Sequence, residues 1–219
     1  MSASLADQPG APGPGDPGLA IALGANLGDP LATLLAVRPL LAALVGRHLG
    51  PWPGRLRWSP LFRTEPVGGP PGQPPYLNAV LLAEAAAPLE PSSTAARALL
   101  ADLQELEQRF GRLRLEPWGP RTLDLDLLWW GALQLQAPEL TLPHPRLAQR
   151  SFVLAPLAAL DPALVVPSPA VEQGSMDPDP ALTTGPDPAP SCGALLAALL
   201  PQLPEAPPAR LPGRPGWPE

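Results

Sequence analysis

Proline limits what this chain can form more than any other residue, because its ring fixes φ and removes a backbone donor. The 37 prolines are unevenly placed: from Pro162 onward there are 15 in 58 residues. Residues 1–18 are also rich in Pro and Gly and carry no periodicity. Between these stretches, residues 19–161 carry apolar positions at regular spacing. The expected organisation is a disordered leader at 1–18, one folded domain at 19–161 and an irregular tail at 162–219. One short apolar helix at 192–200 is expected to dock on the body.

The periodic region resolves into six main elements. Residues 19–23 are an apolar run ending at Gly24, the pattern of a buried strand. Residues 30–47 have helical spacing, with Asp29 as N-cap, Pro30 in the first turn, and a kink or break expected at Pro39. Residues 56–64 read as a strand. Residues 76–86 read as another, with Leu77, Ala79 and Leu81 alternating with Asn78, Val80 and Leu82. Residues 92–110 form the clearest helix, capped by Ser92 or Ser93 and closed by Gly111 in a left-handed conformation. Residues 122–130 are a strand, with 133–136 placed to pair with it across Gly131. Residues 145–160 look helical, interrupted at Pro156. The order strand, helix, strand, strand, helix, strand predicts an α+β, ferredoxin-like βαββαβ sandwich with an antiparallel sheet and extra C-terminal elements. Helices on one face would leave the other face free for a site.

Charge and cysteine usage exclude several classes. The net charge is −6, and all 14 basic residues are arginine. An acidic chain lacks the broad positive potential that nucleic acid requires. Cys192 is the one cysteine, so no disulfide framework can form within the chain, and burial as inert packing is expected for it. Residues 1–18 do not resemble a signal peptide. Apolar stretches such as 195–200 are too short to span a bilayer. These features predict a soluble cytoplasmic protein, expected as a monomer, with no nucleic-acid or membrane partner.

The sharpest chemical feature is the run Arg121-Thr-Leu-Asp124-Leu-Asp126-Leu-Leu128. On a strand, alternate side chains share a face. Asp124 and Asp126 therefore project together while Leu123, Leu125 and Leu127 point into the core. Two neighbouring carboxylates repel each other, and a divalent cation bonded to both reverses that penalty. Magnesium, which accepts carboxylate, water and phosphate oxygens, suits this pair. Arg112, Arg114 and Arg121 lie before it and His144, Arg146 and Arg150 after it. Arginines neutralise polyphosphate and steer transition-state charge. The loop between Arg112 and Arg121 carries Trp118 and two prolines.

A second cluster runs Arg63-Thr64-Glu65-Pro66-Val67-Gly68-Gly69 and continues from Gln73 to Tyr76-Leu77-Asn78. Tyr76 and Asn78 share a face, giving a ring for stacking and an amide for reading a heterocycle's edge. Gly24-Ala-Asn26-Leu-Gly28-Asp29 lacks any phosphate-loop pattern and reads as a tight turn shaping a pocket wall. His48 is expected at the surface or as a helix C-terminal cap, and one of Trp129 and Trp130 in the core.

These stretches together resemble the 6-hydroxymethyl-7,8-dihydropterin pyrophosphokinase family. The matching runs are ALGANLGD (22–29), FRTEPVGG with QPPYLNAV (62–80), ELEQRFGRLR (105–114), WGPRTLDLDLL (118–128) and LPHPRLAQRSFVLAPL (142–157). The resemblance implies transfer of diphosphate from ATP to the pterin hydroxymethyl group, with AMP leaving. It implies that Asp124 and Asp126 bind two Mg2+ ions and that Arg112, Arg114 and Arg121 serve catalysis. Gln104, Glu107, Thr141, His144 and Arg150 match the nucleotide side. Thr64, Val67, Tyr76, Asn78, Trp118 and Phe152 match the pterin side, with Gly24 near that pocket. The chain departs from some members in a shorter arginine loop and in Glu139, where they carry a basic residue. A non-catalytic module holding nucleotide or pterin in the same pocket is the alternative.

Overall fold

The computed structural model describes residues 18–50, 54–84, 89–112, 118–168 and 189–218. The expected leader before Gly18 and Arg114 lie outside the described residues. Chain order runs β1 (Leu19–Ala25), α1 (Pro30–Leu49), β2 (Arg55–Trp58), β3 (Phe62–Thr64), β4 (Tyr76–Glu84), α2 (Ser93–Arg109) and β5 (Asp124–Trp130). Then come β6 (Leu135–Gln136), β7 (Thr141–Leu142), α3 (Ser151–Leu160), α4 (Cys192–Leu199) and β8 (Ala209–Arg210). The main sheet has the order β5-β1-β4-β3-β8, with β2 also paired to β4, and its pairings are antiparallel. This is the α+β, ferredoxin-like arrangement that the element order predicts.

The helix ends follow local chemistry. Asp29 Oδ1 accepts the Ala32 N–H at 3.0 Å and Ser92 Oγ accepts the Ala95 N–H at 3.1 Å, each satisfying a donor that a helix start leaves unpaired. Gly111, at φ 78°, follows α2 as the left-handed residue expected there. The expected break at Pro39 does not occur, since α1 runs on through it.

Alternation along the strands builds two cores. Leu19, Ile21, Leu23, Ala79, Leu81, Leu125 and Leu127 meet α1 and α2 through Leu34, Val37, Leu41, Leu99 and Leu103. Each fully buried Leu, Ile or Val side chain among them contributes roughly 1.5–3 kcal/mol. By length and composition α1 could also cross a membrane, which corrects the expectation that no apolar stretch is long enough. In this fold its stripe Leu34, Val37, Leu41, Leu44 and Val45 is buried in the first core.

The second core corrects the expectation of a free sheet face. Ala20, Ala22, Val80, Leu82, Leu128 and Trp129 pack under Val153, Leu154 and Leu157 of α3 and Cys192 of α4. The two helices cover the part of this face next to Leu82 and Trp129, leaving the other end, beside Gly24 and Asp124, as a cleft. A register shift between Ala20 and Ile21 sets Leu127 opposite Ile21 and Trp129 opposite Ala20. The extra residue, Leu128, forms a bulge. Trp129 therefore enters the second core and Trp130 the first, so both are buried rather than one.

Further expectations change: β6 pairs with β7 rather than with β5, and α3 runs on through Pro156. The strand expected over 56–64 is broken at 59–61, where Ser59 turns back to Val80: its N–H donates to Val80 O at 2.9 Å and its Oγ accepts the Val80 N–H at 2.9 Å. His48 is neither free surface nor cap, because Nε2 pairs with Asp102 Oδ2 at 2.8 Å and links α1 to α2.

The C-terminal segment is built into the sheet. β8 pairs with β3, and Leu211 N–H donates to Leu61 O at 2.8 Å. Trp217 is buried against Trp58 with ring centroids 5.7 Å apart, and its Nε1–H donates to Ser59 O at 2.8 Å. Cys192 is buried, as expected of inert packing.

Candidate functional site

β1, β4 and β5 bring their chemistry to one level. Gly24 stands between Asn78 on one side and Asp124 on the other, and Ala22 opposes Asp126. The face carrying Asp124, Asp126, Gly24, Tyr76 and Asn78 lines a cleft of about 450 Å³. The two acids therefore project together from one strand.

Arginines grip both acids. Arg121 pairs with Asp124 Oδ2, Arg112 Nη1 lies 2.7 Å from Asp124 Oδ1, and Arg150 Nη1 donates to Asp126 Oδ2 at 2.5 Å. The side chains stand 19% exposed at Asp124 and 32% at Asp126. Burial, then the charge of Asp126, push the Asp124 carboxyl above its ordinary range despite its arginines. At Asp126 burial is the largest single influence and acts in the same sense, but Arg150 and the weaker charges around it together outweigh it and hold the carboxyl below that range. The pair is thus tuned apart, with Asp126 the more readily ionised.

This donor set fits a hard cation. Asp124 Oδ1 is buried and accepts no aligned hydrogen bond. Among the described residues no group of three or more His, Cys, Asp or Glu could hold a metal by itself. Two carboxylates with the remaining ligands from water and phosphate is the mode magnesium uses.

The turn after β1 fixes Arg121. Asn26, buried, accepts the Arg121 N–H through Oδ1 at 2.7 Å and donates its own backbone N–H to Arg121 O at 2.9 Å. Its Nδ2 donates to Pro74 O at 3.0 Å, tying in the loop before Tyr76. Sequence reasoning gave Asn26 no role; an amide in a glycine-flanked strand-to-helix turn was the available signal.

The side of the cleft expected to take a heterocycle is largely apolar, with the Asn78 amide at its floor. Asn78 Nδ2 donates to Thr64 Oγ1 at 2.7 Å, so both are buried and fixed. A Cβ on Gly24 would stand 2.7 Å from Asn78 Oδ1, so the floor requires glycine. Tyr76, Val67, Phe152 and Trp118 complete the wall. Trp118 has φ 62°, rare for a bulky residue, and is 48% exposed. The Arg146 guanidinium sits 4.6 Å from its ring centroid, and Gln73 Nε2 donates to its carbonyl at 3.1 Å. Arg146 lines the cleft as well.

The remaining expected residues lie around rather than in this wall. Glu107 is 2% exposed; its Oε1 accepts the Leu125 N–H at 2.7 Å and pairs with Arg112. His144 is partly buried, and its N–H donates to Leu128 O at 2.7 Å. Its Nδ1 accepts the Arg146 N–H at 3.1 Å, and burial with Arg150 nearby pushes the imidazole down to about 4, so it is neutral at physiological pH. Gln104 sits on α2 and Thr141 on β7; neither lines the cleft. Glu139 pairs with Arg97, Nε to Oε1 2.6 Å. Glu205, from the C-terminal segment, does line the cleft and was not anticipated.

Comparison with known proteins gives a consistent result. A family model described as 7,8-dihydro-6-hydroxymethylpterin-pyrophosphokinase (HPPK) matches residues 20–162. The chain is 41% identical over 151 residues to a 2-amino-4-hydroxy-6-hydroxymethyldihydropteridine pyrophosphokinase from Synechocystis sp., covering 68% of this chain and 69% of that protein. Its identity to proteins of the same description is 38% for Haemophilus influenzae, over 68% of this chain and 84% of that one, and 38% for Pseudomonas aeruginosa, over 67% and 82%.

Proposed function

The chain belongs to the 7,8-dihydro-6-hydroxymethylpterin-pyrophosphokinase family, and we propose that its cleft is where this ATP-dependent diphosphokinase of folate biosynthesis carries out its reaction. The observation that carries this reading is the shared wall: Asp124, Asp126, Arg121 and Arg150 line the same cleft as Tyr76, Asn78, Thr64 and Phe152. The enzyme transfers the diphosphate of ATP to 6-hydroxymethyl-7,8-dihydropterin. The hydroxymethyl oxygen bonds to the β-phosphorus, the bond from that phosphorus to the bridging α-phosphate oxygen breaks, AMP leaves with the electron pair, and the hydroxyl proton passes to solvent.

Positioning and charge supply most of the catalysis in such a transfer. Asp124 and Asp126 would hold two Mg2+ ions, which supply charge neutralisation on the phosphates when bound. Arg112, Arg121 and Arg150, now paired to the acids, would turn to the phosphate oxygens of the bound nucleotide. Arg114 shares this role by its place in the same arginine loop. Gln104, Thr141, neutral His144 and Arg150 serve the nucleotide, and Glu107 serves it through Arg112. Tyr76, Trp118 and Phe152 hold the pterin ring, Asn78 reads its edge against Thr64, and Gly24 and Val67 shape the space. We read the protein as a cytoplasmic monomer without nucleic-acid or membrane partners, with residues 19–161 as the catalytic domain.

The test is incubation with ATP, magnesium and the reduced pterin. Stoichiometric AMP and pterin diphosphate are expected; ligand binding without AMP release would favour the binding-module alternative.

A further inference from the structure

Glu205 lies beyond the stretch matched by the family model, yet it lines the cleft. Its path there is set by packing. α4 lies on α3 and on the 3-10 turn Leu147–Gln149 that precedes it. The chain then passes through a second 3-10 turn, Leu200–Gln202, and reaches β8 beside β3. β8 runs antiparallel to β3, with Arg63 opposite Ala209, so the residues before Ala209 continue alongside Thr64 and those after it. Residues 203–208 therefore cross from the start of α3, where Phe152 stands, to the end of β3, where Thr64 stands. Both ends of that crossing belong to the heterocycle side of the cleft.

The crossing is anchored by sheet pairing at Ala209 and Arg210, by Leu211 N–H on Leu61 O, and by buried Trp217. It is thus a wall rather than a loose end. Glu205 itself has no hydrogen-bond or ion-pair partner among the described residues. The arginines of the cleft do not neutralise it: Arg121 and Arg150 are paired to the aspartates and Arg146 is stacked on Trp118. A partly buried carboxylate with free acceptors on the wall of a heterocycle pocket is suited to ring N–H donors, and it opposes an anionic ring substituent.

We infer that Glu205 is a specificity-determining residue of the heterocycle subsite, accepting an N–H of a neutral bicyclic ring and excluding rings that carry a carboxylate. This rests on the proposed assignment of that half of the cleft to the pterin. In the reaction it touches only the acceptor, so its loss should leave the nucleotide side intact.

The experiment uses the full chain with Glu205→Gln and Glu205→Ala. KM for the reduced pterin, KM for ATP and kcat are measured, together with direct fluorescence binding of 6-hydroxymethylpterin and 6-carboxypterin. The expected result is a rise of about tenfold in pterin KM and Kd for Glu205→Ala, as for loss of a hydrogen bond to a charged group, and a smaller rise for Glu205→Gln, which keeps an acceptor without its charge. KM for ATP, kcat and the unfolding midpoint should stay at wild-type values, and 6-carboxypterin should bind Glu205→Gln more tightly than wild type. Unchanged affinity for both pterins in both variants overturns the inference, as does an equal loss of pterin and ATP affinity. If wild type releases no AMP, the functional reading fails; the direct binding comparison still decides the role of Glu205.

Discussion

Glu107 Oε1 accepts the backbone N–H of Leu125 at 2.7 Å, which anchors the strand midway between the two acids of the cleft. The same oxygen pairs with Arg112, and Arg112 reaches on to Asp124. Glu107 thus positions the acids and one arginine from behind, at 2% exposure. Glu107→Ala would leave a buried guanidinium and a buried N–H without this partner, at a cost of about 3–5 kcal/mol. Glu107→Gln keeps an acceptor for Leu125 and should cost less. Urea unfolding of both variants checks the order; a Glu107→Ala protein as stable as wild type would contradict it.

Gly24→Ala tests the floor of the cleft. The new methyl would stand 2.7 Å from Asn78 Oδ1, and Asn78 is held by its bond to Thr64. The shift should cost about 1–3 kcal/mol of stability. It should raise KM for the pterin far more than KM for ATP, because the displaced amide is the one we assign to the pterin edge. Steady-state kinetics with each substrate varied in turn separates the two.

Much of this was legible in the sequence where short-range rules operate. Period-two alternation marked 76–86 and set Asp124 beside Asp126, and the caps at Asp29, Ser92 and Gly111 needed only their own neighbours. What could not be read depends on distant partners. Ser59 breaks its strand because Val80 takes its hydrogen bonds. Leu128 bulges because β1 imposes its register, which sends Trp129 rather than Trp130 into the second core. Glu107, a helix acid in the sequence, is buried because Leu125 and Arg112 meet it there. Arg210 and Trp217 lie in a Pro-rich run with no periodicity, yet they find β3 and Trp58.

Trp217 measures how far the C-terminal segment supports the fold. It packs on Trp58 and donates to Ser59 O. Trp217→Ala should cost about 3–5 kcal/mol, the range for deleting a buried aromatic. Trp217→Phe keeps the ring but orphans the carbonyl, and should cost about 1–3 kcal/mol. Thermal unfolding of the two variants checks the ranking.

Cys192 gives a pH-dependent expectation. Burial, then the charge of Asp161, push its thiol from 9.0 up to about 11, and its Sγ–H donates to Asp161 O at 3.0 Å. The folded pKa lies above the unfolded one, so the thiol's stabilising effect is complete below the unfolded value of 9.0 and fades as pH rises toward about 11. The native protein should resist thiol-specific alkylation at pH 8 and react once unfolded. Rapid alkylation of the native protein would contradict the placement of Cys192.

The pairing of Asp124 and Asp126 on one strand is tested most directly by titrating manganese, a spectroscopic stand-in for magnesium, into the protein with a non-hydrolysable ATP analogue. Wild type should bind the cation tightly only when the nucleotide is present. Asp124→Asn and Asp126→Asn, each shown to be folded, should each lose that nucleotide-dependent binding. Unchanged cation affinity in either folded variant would contradict the role given to the two acids.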